Sequence, residues 1–332
     1  MSARARSKIR EIWGQSMLAR LLANDHAAAM LAPVSFVPLR SVSALVVLAA
    51  LGSVACTPRQ LGGRPYDLTV PADVSGPVPL VILLHGYAFN GPAQDAYWGF
   101  SQRADVDGFA LAVPSGSLNQ AGKRYWDATD FCCDFDNSGV DDVAFMRSLV
   151  DTVAEEVDID RGSVTVAGWS NGGFMALRAA CDMSDVVTTV ISHAGAAWND
   201  FAACPAVDTA ANRFPVNVLQ VHGTNDEVIA YDGFNPVGSA PPTTQAPGYP
   251  SAPETVARFA ARNGCSAGAT VALGPLDLTR DEGNETSQAE SPDCPVGGDA
   301  ALWTVAGASH IPSFHEGYAE AALSWALSRA RR

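Results

Sequence analysis

The chain has 332 residues, 48% apolar and 17% charged, with a net charge of −14 at neutral pH. That much apolar side chain supports a large core, which excludes a disordered chain, a disulfide-stapled miniature fold and a collagen-like repeat. Residues 1–55 hold six basic side chains against two acidic ones, so the remainder is more acidic than the whole, and it would repel the phosphate backbone of a nucleic acid partner.

The first readable segment is an address. Val42 to Ala55 reads VSALVVLAALGSVA, shorter than the roughly 20 apolar residues that span a bilayer. Arg40 precedes it, and small residues stand at Ser53 and Ala55. This is the three-part form of a secretory signal, and Met30 is a more ordinary start for it than Met1. Cys56 follows directly, as in a lipoprotein, although Ser53 stands where an aliphatic residue is usual. Two outcomes are open: plain secretion to the periplasm or exterior, or a lipid on Cys56 as the chain's one membrane contact. The expected organisation is an N-terminal extension and signal over 1–55 and one domain over 56–332.

Six further cysteines remain: Cys132, Cys133, Cys181, Cys204, Cys265 and Cys294. An even number in an exported chain suggests disulfides, and no pair has zinc-site or CxxC spacing. Cys265 and Cys294 flank one stretch and are expected to bond. The other four allow three connectivities. Cys181–Cys204 is favoured, which leaves Cys132 with Cys133.

The body alternates strands and helices. Pro79 to His85 (PLVILLH) and Phe109 to Pro114 are continuous apolar runs, as buried parallel strands are. Val140 to Val157 has helical periodicity, with Asp141 or Asp142 as its cap. A strand over Ser163–Ala167 precedes a helix over Ser170–Ala180. Val186–Ile191 and Val216–Val221 are further strands. Pro253–Arg262 reads as a helix, Ala301–Val305 as a strand and His315–Arg329 as a last helix. Asn235–Pro253, rich in Pro, Gly, Ser and Thr, reads as a long loop. The alternation implies an α/β fold with a mostly parallel, doubly wound sheet and helices on both faces.

Gly168-Trp169-Ser170-Asn171-Gly172 is G-x-S-x-G between a strand and a helix. That is the context in which glycines permit a sharp turn and lift a serine to the carboxyl end of a sheet. A serine nucleophile needs a base, and the base needs an orienting carboxylate, following in the order acid then histidine. His310, in a loop after the strand ALWTV, is the expected base. His315 is a lesser candidate that opens the last helix, and His193 and His222 read as structural. Asp226, in the loop after VNVLQV, is the expected acid, with Glu227 and Asp232 as alternatives. The oxyanion is expected to meet the backbone N–H groups of Tyr87 and Asn171. Trp126, Trp169 and Tyr231 are candidates to line a substrate cleft, with core packing the competing role.

LLHGY, WDATDFCCDFDNSGVDDVAF, GWSNGGFM, HGTNDEVIAYDG and ETVARFAARNGC occur in this order. Together they resemble the polyhydroxybutyrate depolymerase-like esterases, which are similar to feruloyl and acetylxylan esterases. The resemblance covers about residues 61 to 328. It implies an exported α/β-hydrolase-fold serine esterase with Ser170, Asp226 and His310 as its triad. It also implies a small-molecule or polymeric ester as substrate and no cofactor. The sequence departs from many relatives at Ala308-Ser309-His310-Ile311-Pro312, where they carry glycines and a tryptophan, and at Tyr87, where several carry cysteine.

A rival site is the run Asp134 to Asp142. Asp134, Asp136, Ser138 and Asp142 fall at calcium-loop positions, but Phe145 replaces the bidentate glutamate. A polar loop leading to a helix cap is the expectation, and no metal is expected. The alternatives to an esterase are a peptidase on the same fold and a non-catalytic surface lipoprotein on a hydrolase scaffold.

Overall fold

A strand buried on both faces must be apolar throughout. The stretch Leu80–Leu84 meets this rule: all five side chains are fully buried. Burying an aliphatic side chain of this kind stabilises by about 1.5–3 kcal/mol. The computed structural model describes residues 58–72, 75–234, 248–268, 270–281 and 283–329. The compact unit that carries the described elements is Arg59–Arg332. The expected signal and Cys56 lie outside the described residues, as do residues 235–247 of the expected long loop.

In chain order, β1 (Arg59–Leu61) and β2 (Arg64–Thr69) form a hairpin. Then come β3 (Val78–Leu84), α1 (Gly91–Trp98) and β4 (Ala110–Pro114). A small ribbon of β5 (Ser117–Leu118) and β6 (Arg124–Tyr125) precedes α2 (Asp142–Glu156). Next are β7 (Ile159–Trp169), α3 (Asn171–Asp182), β8 (Thr189–His193) and β9 (Asn217–Gly223). The chain closes with α4 (Ala252–Asn263), β10 (Val271–Leu276), β11 (Thr286–Glu290), β12 (Ala300–Val305) and α5 (Glu316–Leu327).

One ten-stranded sheet has the order β1-β2-β4-β3-β7-β8-β9-β12-β11-β10. Its six central strands, from β4 to β12, are parallel. Antiparallel strands extend it on both sides. The chain steps from β3 outward to β4, then returns across β3 to β7 and continues the other way. Right-handed crossovers then put α1 and α3 on opposite faces. The reversal falls between β3 and β7, and ligands of open α/β sheets bind beyond the carboxyl ends of strands at such a switch point.

The local signals explain the helices. Asp141 caps α2, its Oδ1 accepting from the Ala144 N–H at 2.8 Å. Phe145, Met146, Leu149, Val150 and Val153 form the buried stripe of that helix, at the spacing a 3.6-residue turn requires. The run before it is a polar loop, as expected. Asp134 accepts from the Ser138 hydroxyl and the Gly139 N–H, and Asp136 accepts from the Gln120 N–H. Asp142 pairs with Arg64 and accepts from the Asp127 N–H. Among the described residues no cluster of His, Cys, Asp and Glu is arranged to hold a metal ion. None of the described helices is long and apolar enough to cross a membrane. Cys132–Cys133, Cys181–Cys204 and Cys265–Cys294 are the disulfides, in the pairing the sequence favours.

Candidate active site

The two strands that flank the switch point deliver the site. β3 and β7 pair in parallel, with Leu84 opposite Gly168. Three residues beyond that pair stand Tyr87 on one side and Asn171 on the other, with Ser170 between β7 and α3. Ser170 adopts φ 55° and ψ −120°. This is a strained conformation for a non-glycine residue and the mark of a sharp strand-to-helix turn. The Ser170 N–H anchors the turn by donating to the His193 carbonyl at 2.8 Å.

The flanking glycines are required by close approach. A Cβ on Gly168 would lie 2.2 Å from the Gly172 carbonyl oxygen, and one on Gly172 would lie 2.4 Å from the Leu84 carbonyl oxygen. Both obstacles are backbone, which cannot swing away.

Ser170, His310 and Asp226 form one hydrogen-bonded line. His310 Nε2 lies 2.9 Å from Ser170 Oγ, and His310 Nδ1 lies 2.8 Å from Asp226 Oδ2. Asp226 is ionised, so it accepts from Nδ1–H, and Nε2 is left to accept from the serine hydroxyl. All three residues are buried. Burial alone would raise the Asp226 pKa. Electrostatic interaction with His310 and the hydrogen bonds from His222 and His310 outweigh it and hold the carboxyl below the usual carboxylate range. Asp226 Oδ1 accepts from the Val228 and Ile229 N–H groups, each at 2.8 Å, which closes the loop on itself.

The turn after β3 is fixed by His85. Its Nδ1 donates to the Gly86 carbonyl at 2.7 Å, and its Nε2 accepts from the Gly116 N–H at 2.9 Å. Burial pushes the His85 pKa down to about 4, so the ring is neutral at pH 7. Tyr87 is buried, with its hydroxyl accepting from Asn119 Nδ2 at 2.8 Å and its ring edge-on to Phe135. Asn171 is the first residue of α3, where a backbone N–H has no partner within the helix. Its side chain points elsewhere: Oδ1 accepts from the Trp126 N–H, and Nδ2 donates to the Trp126 carbonyl and to Cys132 Sγ.

Of the acid alternatives, Glu227 and Asp232 are exposed and Asp226 alone is buried against His310. His315 caps α5, with Nδ1 accepting from the Gly317 N–H at 2.9 Å. His193 ends β8 inside an aromatic cage of Trp98, Phe314 and Tyr318.

The cleft-lining expectation is corrected for two of its three residues. Trp126 and Trp169 are fully buried. Each indole N–H is satisfied by a main-chain carbonyl, Trp126 by His85 and Trp169 by His310. They are framework that holds the two site loops, because an indole buried on all sides has no face left for a ligand. Tyr231 is half-buried, with its hydroxyl 2.8 Å from Thr304 Oγ1 and its ring edge-on to His222.

Sequence reasoning missed two contributions. His222 lies against Asp226, with Nε2 3.3 Å from Oδ2. Its position four residues before the acid was the available signal. The Asn171 side-chain clamp on the 126–133 loop joins residues far apart in sequence, so no local pattern announces it.

Sheet order, switch point and elbow are those of the α/β-hydrolase fold. A family model described as Phospholipase/Carboxylesterase matches residues 69–233. The chain is 27% identical over 178 residues to the bifunctional acetylxylan esterase/xylanase XynS20E of Neocallimastix patriciarum, covering 53% of this chain and 24% of that protein. It is 26% identical over 182 residues to the probable feruloyl esterase C of Aspergillus niger, covering 52% of this chain and 59% of that protein. The chain therefore spans between about a quarter and three fifths of the length of these curated relatives. The acetyl xylan esterase structure from Aspergillus awamori superposes with a TM-score of 0.54 at 14% identity, covering 79% of this chain and 93% of that one, which shows a shared fold. The chain therefore has the α/β-hydrolase fold and is similar in sequence to esterases.

Proposed function

We propose that the protein is an exported serine carboxylesterase. The observation that carries this reading is the hydrogen-bonded line from Ser170 through His310 to Asp226 at the carboxyl edge of β7, β9 and β12. In the proposed cycle Ser170 Oγ attacks the ester carbonyl carbon while His310 Nε2 takes its proton. The oxyanion is held by the backbone N–H groups of Tyr87 and Asn171. Collapse of the tetrahedral adduct breaks the bond to the alcohol oxygen, which leaves with the proton from His310. Water, activated by His310, then cleaves the acyl-enzyme and restores Ser170. Asp226 keeps the imidazole oriented and stabilises its charge throughout.

The names of the relatives support feruloyl or acetyl esters as the substrate class, with polyhydroxyalkanoate-type polyesters kept as a further candidate from the motif set. Three disulfides support an oxidising, extracytoplasmic location. The signal-like segment ahead of Cys56 supports export, with a lipid on Cys56 as one form of it.

The test is a panel on the purified protein: p-nitrophenyl acetate and butyrate, methyl ferulate, acetylated xylan, a polyhydroxybutyrate suspension and a set of peptides. Ester turnover without peptide turnover is expected. Peptide turnover without ester turnover would point to a peptidase. No turnover, with no labelling of Ser170 by a fluorophosphonate, would point to a non-catalytic scaffold.

A further inference from the structure

A second imidazole sits on the acid of the triad. His222 is the penultimate residue of β9 and is buried. Its Nε2 lies 2.8 Å from the Ile229 carbonyl oxygen and 3.3 Å from Asp226 Oδ2. A carbonyl oxygen only accepts, so Nε2 carries the proton and donates to both. The other ring nitrogen agrees. Gln220 Nε2 donates to the Gly195 carbonyl at 2.8 Å, which fixes the orientation of that amide. The same amide nitrogen lies 3.2 Å from His222 Nδ1, so Nδ1 accepts. Two main-chain carbonyls, Ile229 and Gly195, thus set one tautomer from both sides, and that tautomer aims an N–H at the carboxylate His310 uses.

Each oxygen of Asp226 is then held twice. Oδ1 takes the Val228 and Ile229 N–H groups, and Oδ2 takes His310 Nδ1 and His222 Nε2. The Ile229 carbonyl, which shares the His222 proton, belongs to the residue whose N–H binds Oδ1. His222 therefore staples the 226–229 turn to the end of β9 as well as to the carboxylate. Tyr231 closes the arrangement by packing edge-on to the His222 ring at 5.7 Å.

We propose that His222 is a positioning residue for the hydrolytic reaction: its Nε2–H fixes the Asp226 carboxylate in the orientation that His310 requires. The inference rests on the Ser170–His310–Asp226 reading above. It assigns His222 no contact with substrate and no proton transfer.

The experiment compares His222→Gln with His222→Met in the full chain, beside Ser170→Ala. A glutamine amide nitrogen reaches the place of an imidazole Nε2 and can donate to Asp226 and Ile229. Methionine fills similar space and donates nothing. His222→Met is expected to lower kcat on p-nitrophenyl butyrate by about 10- to 100-fold, as loss of a hydrogen bond that orients a ligating side chain does at metal sites. KM should stay within about twofold, because the buried His222 is assigned no contact with substrate. Fluorophosphonate labelling of Ser170 should slow in parallel, since it reads activation of the serine without reading ester binding. His222→Gln should return kcat to within about fivefold of wild type.

A folded His222→Met with wild-type kcat and labelling rate overturns the proposal. So does a folded His222→Gln that is as impaired as His222→Met. Should His222→Met fail to fold, Gln220→Met leaves His222 in place without the donor that fixes its tautomer. A fall in kcat at constant KM is then expected, and wild-type kcat overturns the proposal. Should neither methionine variant fold, His222→Gln decides alone: kcat within about fivefold of wild type supports the proposal, and a folded protein below that overturns it. Failure of the triad reading is separate and visible, because Ser170→Ala would then remain active.

Discussion

Asn171 grips the backbone of Trp126 at both of its polar groups. Oδ1 accepts from the Trp126 N–H at 2.8 Å, and Nδ2 donates to the Trp126 carbonyl at 2.9 Å. The residue that opens α3, and whose N–H is the proposed oxyanion donor, is thereby tied to the loop carrying Cys132 and Cys133. Asn171→Ala keeps the backbone donor and removes the clamp, leaving the buried Trp126 N–H unpaired while the Trp126 carbonyl keeps the Cys133 N–H at 3.3 Å. Such an unpaired group costs about 1–3 kcal/mol. The expected result is a clear loss of stability by urea unfolding, with kcat lowered and the serine still labelled by a fluorophosphonate. Wild-type stability would show that the clamp contributes nothing.

Gly168→Ala tests the elbow itself. The added Cβ would meet the Gly172 carbonyl oxygen at 2.2 Å, a main-chain atom that cannot swing aside. The variant should lose about 1–3 kcal/mol of stability or more, in the overpacking range, and its esterase activity with it. Thermal unfolding and turnover on p-nitrophenyl acetate measure both. A variant with wild-type melting temperature and activity would contradict the packed turn described here.

The neutral His85 predicts a pH dependence of stability. Burial lowers its folded pKa to about 4 from 6.5. Between those values the unfolded chain binds the proton and the folded chain does not. The contribution is therefore complete above pH 6.5 and is lost as pH falls toward 4. Its size is about 3 kcal/mol. His85→Asn keeps a donor for the Gly86 carbonyl and removes the titration. Across that window the wild type should lose roughly 6–10 °C of melting temperature relative to His85→Asn. Parallel curves for the two proteins would show that His85 does not titrate in this way.

Much of this was legible in the sequence because the central strands bury both faces. Val78–Leu84 and Ala110–Pro114 are apolar runs with few other ways to fold. The same property made G-x-S-x-G readable, since a strand before it and a helix after it were both clear. The edges were not legible. β1 is polar and exposed, β2 contains Pro65, and β10 is apolar but exposed and interrupted by Gly274 and Pro275, so no strand pattern marks them. β7 begins at Ile159, ahead of the expected Ser163, because Asp160, Arg161 and Gly162 are polar yet continue the strand. Helix α1 (GPAQDAYW) was missed because it buries only Gly91, Gln94 and Trp98, too few to form an apolar stripe.

Within the site, Ser170, Asp226 and His310 could be read from their positions after three strands, and the structure brings those three together. Trp126 and Trp169 were ambiguous because an aromatic residue near a site suits a cleft or a core equally well. Their buried indole N–H bonds to the His85 and His310 carbonyls decide for the core. His222 looked structural because nothing in HGTNDE shows that the loop folds Asp226 back onto the strand end. The Val228 and Ile229 N–H bonds to Oδ1 and the His222 bond to the Ile229 carbonyl create that return.

The central claim is that Ser170 is the nucleophile of an ester hydrolase, and Ser170→Ala measured on p-nitrophenyl butyrate tests it most directly. Loss of a triad serine removes the acyl-enzyme route, so kcat/KM should fall by at least about a thousandfold while the melting temperature stays near wild type. A Ser170→Ala protein that hydrolyses the ester within about tenfold of wild type would contradict the account.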